Sequence, residues 1–214
     1  MTKKNILKGE IIFKADRNTY LTYKIENCNF IKSFMSNNMK NDMKYKIQQI
    51  LSGTKINFHS IENKIFKNNM ILVDSYLHFI IAEILILHCL NKNNIITELV
   101  KKLAKKNPLL SGKRYNQPFY ERKVKEFLYH LIMGMNPNEI WNGKYDASKH
   151  FFIKGNNNEL ITYNIYNRNQ FEDYLFQNTR LETASSKRHK FGIIYKDLKD
   201  NCFYMKLNLQ IRFK

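Results

Sequence analysis

The last twelve residues, Phe203 to Lys214, alternate without a break between apolar and polar side chains. Phe203, Met205, Leu207, Leu209, Ile211 and Phe213 fall on one side of an extended chain. Tyr204, Lys206, Asn208, Gln210, Arg212 and Lys214 fall on the other. Successive side chains of a strand point to opposite faces, so the pattern predicts one strand with its first face in a core and a polar, partly basic face outside.

Other segments are rich in the β-branched and aromatic residues that strands favour: Ile11–Phe13 and Tyr20–Ile25, separated by a polar turn over 14–18. Phe151–Lys154 and Leu160–Tyr166 flank Gly155-Asn156-Asn157-Asn158, a hairpin signature, and Phe191–Lys196 is a strand before a turn over 197–201. The middle reads as helical. A helix is expected around Met43–Leu51, ending before Gly53, and Ser60–Asn63 is expected to open a short one. Asp74 caps a helix carrying Leu77, Ile80, Ile81, Ile84 and Leu85 at helical spacing. Asn93 or Asn94 caps the next, with Ile96, Leu99, Val100 and Leu103 inward and Lys101, Lys102, Lys105 and Lys106 outward; Pro108 stops it. Pro118 marks the first turn of another helix and Gly134 its end, and Asn169–Phe176 is short and helical. The expected fold class is α+β: a helical middle section followed by an antiparallel β C-terminal part. With no repeat and no linker, the chain is read as a single domain or domain fragment, with 1–58 β and loop, 59–135 helical and 136–214 β-rich.

Charge narrows the function. Lys and Arg number 36 against 18 Asp and Glu, a net charge of +18 over 214 residues, while 43% hydrophobic and 14% aromatic residues exclude a disordered basic tail. AT-rich codon usage explains the many Asn and Ile but not the shortage of acids. A folded polycation fits a polyanionic partner, and nucleic acid is the leading one, because each Lys or Arg set near a phosphate releases condensed counterions. Three widely spaced cysteines, Cys28, Cys89 and Cys202, suit a reducing cytoplasm. The apolar run Phe79–Leu90 is too short to span a bilayer and reads as a buried helix, so no membrane partner is expected.

Phosphate-loop, dinucleotide-binding, HExxH and GxSxG motifs are absent, and seven glycines weigh against a nucleotide-cofactor fold or a methyltransferase. His78 and His88, on an apolar helix, read as core histidines rather than ligands. The most informative stretch is Asn178–Lys190. There Arg180, Ser185, Ser186, Lys187, Arg188 and His189 offer hydroxyls for phosphates and a guanidinium suited to guanine O6 and N7, although a solvated loop would have the same composition. Asn167 and Arg168 supply an amide and a second guanidinium, or simply a capped helix start. Gln210 and Arg212 lie on the polar face of the last strand.

Several long motifs in one order carry a resemblance: Phe119–Leu128, Gly134–Pro137, Trp141–Ala147, Tyr163–Leu175, Asn178–Gly192 and Lys206–Phe213, more loosely preceded by the helices from Asp74. In these the chain resembles the HpaII-type restriction endonuclease family, with Ala184 where proline is expected and Asn142 where aspartate is. The resemblance implies a type II restriction enzyme that binds double-stranded DNA at a short palindrome, the name-giving member cutting CCGG. It implies the C-terminal portion of a PD-(D/E)xK-like nuclease, with 1–58 a remnant of the nuclease core and 136–214 the DNA-recognition part. It further implies Mg²⁺ held by two acids beside a Lys, a cognate DNA methyltransferase in the same system, and a homodimer on a palindromic site.

The resemblance places the metal ligands ahead of the stretch matched by Ile12–Asp16 and Thr22–Ile25, so the chain is expected to start just past them, and a separately encoded amino-terminal part is a candidate partner. Inside the chain, Asp146 with Phe152-Ile153-Lys154 imitates the acid-then-Lys pattern, but Phe152 cannot ligate a metal, and Glu10 to Lys14 has the wrong spacing. The catalytic residues are therefore unassigned. Three readings stay open: an endonuclease, a DNA-binding remnant that does not cut, and an RNA-binding protein, the last lacking a recognition-motif aromatic pair or a GXXG loop.

Overall fold

The computed structural model describes residues 10–36, 43–91, 93–144, 150–154, 160–164 and 167–214, with 150–154 and 160–164 described as backbone. The fold is α+β. The terminal alternation does not make one strand. It divides into β8 (Phe203–Asn208) and β9 (Ile211–Phe213), which lie in different sheets. In the first, β8 runs antiparallel to β2 (Tyr20–Ile25), from Tyr20 opposite Asn208 to Ile25 opposite Phe203, and β3 (Ile56–Ile61) and β7 (Ile193–Lys196) flank this pair. In the second, β9 lies between β1 (Ile11–Phe13) and β6 (Thr179–Leu181), again antiparallel. Leu209 and Gln210 make the crossing, the Leu209 N–H donating to the Thr19 carbonyl at 3.3 Å. The apolar set is buried as expected, but so are Tyr204, Asn208 and Gln210 of the polar set, and the two amides are held there by hydrogen bonds, Asn208 donating to the Asp16 carbonyl at 3.0 Å and Gln210 to the Glu182 carboxylate.

Strands from both ends of the chain thus share both sheets, and the helices pack against them. Helices α1 (Cys28–Ser36) and α2 (Met43–Gly53) follow β2; Gly53 ends α2 beneath the Phe30 ring, where an added Cβ would overlap it. Residues Ser60 and Ile61, expected to open a helix, instead finish β3. The helix α3 (Lys64–Val73) starts at Asn63, whose side chain accepts from the N–H groups of Ile65 and Phe66. Ser60 and Ile61 pair with Thr22 and Leu21 on β2, and this pairing outweighs a helix start there. Asp74 ends α3 and accepts from Tyr76 N–H before α4 (Leu77–Leu90), the apolar run read from the sequence, which is buried on most of its surface. Tyr23 on β2 donates its hydroxyl to the Ala82 carbonyl at 2.9 Å, fixing the sheet to this helix.

Helix α5 (Ile96–Lys106) buries Ile96, Leu99, Val100 and Leu103 and turns its lysines outward, as its stripe predicts. Ile95, not Asn93 or Asn94, holds the cap position, and Asn93 assists from two positions further out, accepting from Ile95 N–H. Helix α6 (Asn116–Ile132) has Pro118 in its first turn and Gly134, at φ +110, just past its end. Buried Asn69 then fixes the following loop, donating to the carbonyls of Asn136 and Glu139 and accepting from Trp141 N–H. The hairpin β4 (His150–Lys154) and β5 (Leu160–Asn164) pairs antiparallel, as its turn signature predicts. After α7 (Arg168–Asn178) the chain enters β6 directly. The stretch read as a loop contains that strand and a four-residue helix, α8 (Ser186–His189). Among the described residues no single helix is long and apolar enough to cross a membrane.

Burial makes three histidines poor proton acceptors. His88, inside α4, is pushed down to about 3 by desolvation and then by the Lys44 charge, and its Nδ1 has no hydrogen-bond partner among the described residues. Desolvation lowers His130 to about 4 and also lowers His78. Between the unfolded value near 6.5 and the folded value, the unfolded chain takes up protons that the folded chain refuses, so stability is intact above pH 6.5 and is lost as the pH falls. For His88 alone the loss at pH 5 is about 2 kcal/mol. Urea midpoints measured from pH 7.5 to pH 5 are expected to fall, with a shallower fall in His88→Gln.

Candidate nucleic-acid interface

The three-stranded sheet presents a polar face built by alternation. Thr179, Leu181, Ile211 and Phe213 are buried beneath it. Arg180 and Arg212 stand directly opposite each other on β6 and β9, while Glu182 N–H donates to the Gln210 carbonyl at 3.0 Å. One carboxylate organises this face: Glu182 accepts from both Gln210 Nε2 and Arg212 Nε. Arg180 Nε is buried with no hydrogen-bond partner among the described residues. Two guanidiniums opposite each other would repel in a bare pair, and Glu182 sets a negative charge beside one of them.

The chain leaves this face through Thr183, whose hydroxyl lies 3.1 Å from His88 Nε2, and through buried Ala184. It then forms α8. Ser185 caps the turn, accepting from Arg188 N–H at 3.3 Å, and His189 N–H donates to the Ser185 carbonyl at 2.8 Å. Lys190, at φ +48, closes it, buried Phe191 anchors its far end, and Gly192 N–H donates to the Lys206 carbonyl at 2.7 Å. A short turn pinned between Ala184 and Phe191 therefore projects Ser186, Lys187 and Arg188 into solvent, with His189 half-buried behind them. Neither Lys187 nor Arg188 has a carboxylate partner among the described residues.

The structure brings Arg180, Gln210 and Arg212 together at the base and Ser185, Ser186, Lys187, Arg188 and His189 together at the tip. It sets Asn167 and Arg168 apart, at the far end of α7, roughly 16 Å along the helix axis from β6. There Asn167 caps α7, accepting from Gln170 N–H at 3.3 Å, and Arg168 pairs with Glu172 at 2.6 Å with its guanidinium 4.5 Å above the Tyr129 ring. An open cleft of about 580 Å³ between α6 and α7 is lined by Glu121, Glu172 and Asp173 along with Arg122 and Lys125, and three carboxylates make it a poor seat for phosphate.

Sequence reasoning passed over Glu182, although it is the one acid in Asn178–Lys190, and that isolation was its signal. It also passed over Tyr20, Glu62 and Lys206, which approach α8 from the neighbouring sheet. Lys206 Nζ lies 2.6 Å from Glu62 and 5.3 Å above the Tyr20 ring.

No group of three His, Cys, Asp or Glu side chains among the described residues is placed to hold a metal ion. Asp146 lies outside the described residues, and of Lys154 only the backbone is described. The described donor set does not fit Mg²⁺.

The model of the family described as HpaII restriction endonuclease matches residues 3–213. The type II restriction enzyme HpaII of Haemophilus parainfluenzae is 39% identical over 203 residues, which are 94% of this chain and 56% of that protein. The chain thus spans little more than half the length of the curated relative it matches. No solved structure matches.

Replacing Glu182 by Gln removes the charge that both Gln210 and Arg212 use. Glu182→Gln is expected to lower the unfolding free energy by about 1–2 kcal/mol in urea titrations, since it leaves guanidiniums beside a neutral amide.

Proposed function

The chain belongs to the HpaII restriction endonuclease family, and on that ground we propose that it binds double-stranded DNA sequence-specifically as part of a type II restriction endonuclease that hydrolyses phosphodiester bonds. The proposed target is a short palindrome of the CCGG type. The observation that carries this reading is the α8 turn, where Lys187 and Arg188 are exposed and unmatched by any described carboxylate in a chain of net charge +18. In it Arg188 is assigned to a guanine edge, where a guanidinium can donate to O6 and N7 together. Ser185, Ser186, Lys187 and His189 are assigned to phosphates, and Arg180, Gln210 and Arg212 to the sheet face beneath the same stretch of duplex. Asn167 and Arg168 are assigned to a separate contact on the far end of α7.

Hydrolysis in this reading uses Mg²⁺ in a PD-(D/E)xK-like centre. Its two acids would come from outside the described residues, including a separately encoded amino-terminal part. A homodimer would match the two halves of a palindrome, and a cognate DNA methyltransferase would protect the host's own sites. A second reading, that the chain binds DNA without cutting it, is favoured by the absence of a metal-holding cluster among the described residues. Plasmid cleavage by the purified chain in Mg²⁺, abolished by EDTA, would decide against that second reading.

Two measurements test the binding reading. Affinity for duplex DNA is expected to fall steeply with NaCl, with a log–log slope of about −0.9 per phosphate contact, and a flat response would remove the nucleic-acid reading. Arg188→Ala is expected to weaken binding to a CCGG duplex by about 1–3 kcal/mol and to a scrambled duplex by less. Equal losses on both duplexes would make Arg188 a phosphate contact only.

A further inference from the structure

We propose that Tyr20 is the positioning residue of the α8 turn, and that it governs sequence discrimination without touching DNA. The inference rests on the reading of that turn as the element that reads base edges. The turn has four residues, too few to hold an α-helix by its own hydrogen bonds. Its conformation must come from its surroundings. At its two ends the surroundings are Ala184 and Phe191, both buried. Along its length the turn receives, among the described residues, a hydrogen bond from the Tyr20 hydroxyl, which donates to the His189 carbonyl at 3.1 Å across 169 residues of sequence. That carbonyl belongs to the last residue of the turn, next to Arg188, so the bond acts directly on the backbone that aims the guanidinium.

Tyr20 is itself held. The Lys206 ammonium sits 5.3 Å above the Tyr20 ring and 4.8 Å above the Tyr195 ring, and it is paired with Glu62 at 2.6 Å. Thr22 donates its hydroxyl to the same Glu62 oxygen at 3.2 Å. A cation over an aromatic face is attracted by the ring quadrupole, and more so between two rings. Three strands, β2, β7 and β8, together with the end of β3, therefore converge on the ring whose hydroxyl reaches the turn. Bidentate contact with a base edge tolerates little angular error, whereas a phosphate contact by a long cation tolerates much. Loosening the turn should accordingly cost discrimination and spare general affinity.

Tyr20→Phe removes the hydroxyl and keeps the ring beneath Lys206. The expected result is about a fivefold loss of affinity for a CCGG duplex, with affinity for a scrambled duplex unchanged and amide hydrogen exchange faster over residues 186–190. Glu62→Gln, on an exposed side chain, is a second variant expected to shift discrimination the same way by about twofold. It decides the matter if Tyr20→Phe folds poorly. Unchanged discrimination in the variants overturns the proposal, and so does an equal loss on both duplexes, which would make Tyr20 an ordinary backbone contact. If the unsubstituted chain bound neither duplex, the DNA reading itself would fall. That outcome differs from failure of the Tyr20 proposal, in which the unsubstituted chain discriminates and the variants do so equally well.

Discussion

Antiparallel pairing between Tyr20–Ile25 and Phe203–Asn208 ties residues near one end of the chain to residues near the other. Closing so long a loop costs entropy, though the cost grows only slowly with length. It is offset by the burial of Leu21, Tyr23 and Ile25 on one strand and Met205 and Leu207 on the other, each worth about 1.5–3 kcal/mol when fully removed from water. Everything at the interface hangs from this pairing. β8 carries Lys206 over the Tyr20 ring, and the residues that follow supply Gln210 from the crossing and Arg212 from β9 to Glu182. The α8 turn is fastened on one side to the three-stranded sheet through β6 and on the other to the four-stranded sheet through Gly192 and Tyr20.

Several of the few acids in this basic chain are paired with cations that they orient. Glu182 takes Arg212, Glu62 takes Lys206, Glu172 takes Arg168 and Asp200 takes Lys24. The exposed cations of α8 receive none. Exposed pairs contribute little to stability, so the value of these acids lies in orientation: each fixes a long side chain that would otherwise sample many rotamers. A surface that orients some cations and leaves others unmatched has a field able to draw in a polyanion while keeping its framework rigid.

The strand, the helical stripes and the hairpin were legible because each rests on a periodicity that one sequence displays. The division of the terminal strand between two sheets was not, since alternation is the same whichever sheet receives it, and the crossing at Leu209 and Gln210 carries no glycine or proline to mark it. Helix α1 lay in a stretch read only as β and loop. Helix α8 escaped because four residues show no period, and Ser185 caps a turn with the composition of a solvated loop. Asn63 was visible as part of a helix start, but that Ser60 and Ile61 belong to a strand depended on the pairing of β3 with β2, and Asp74, read as the cap of the helix after it, closes α3 while Tyr76 holds the cap position of α4. At the interface the polar candidates were visible one by one. That Arg180, Gln210 and Arg212 share one face with Glu182 required the register between β6 and β9.

If α8 reads a duplex as proposed, that same register would tie recognition to folding. A short turn reads a duplex only if its aim survives thermal motion, and α8 draws its aim from two sheets that exist only when the chain ends are paired. The part-buried contact between His88 and Thr183 extends the dependence into the core, because it ties the segment between β6 and the turn to helix α4. Local opening of β9 would release Gln210 and Arg212 from Glu182 while freeing one support of α8. Opening of β7 and β8 would release Tyr20 and the other. Since either event costs less than global unfolding, discrimination should be the property most sensitive to loosening of the sheets, and binding through general charge the least. If α8 reads DNA as proposed, specificity would rest on the pairing of distant strands, and affinity on the composition of the surface.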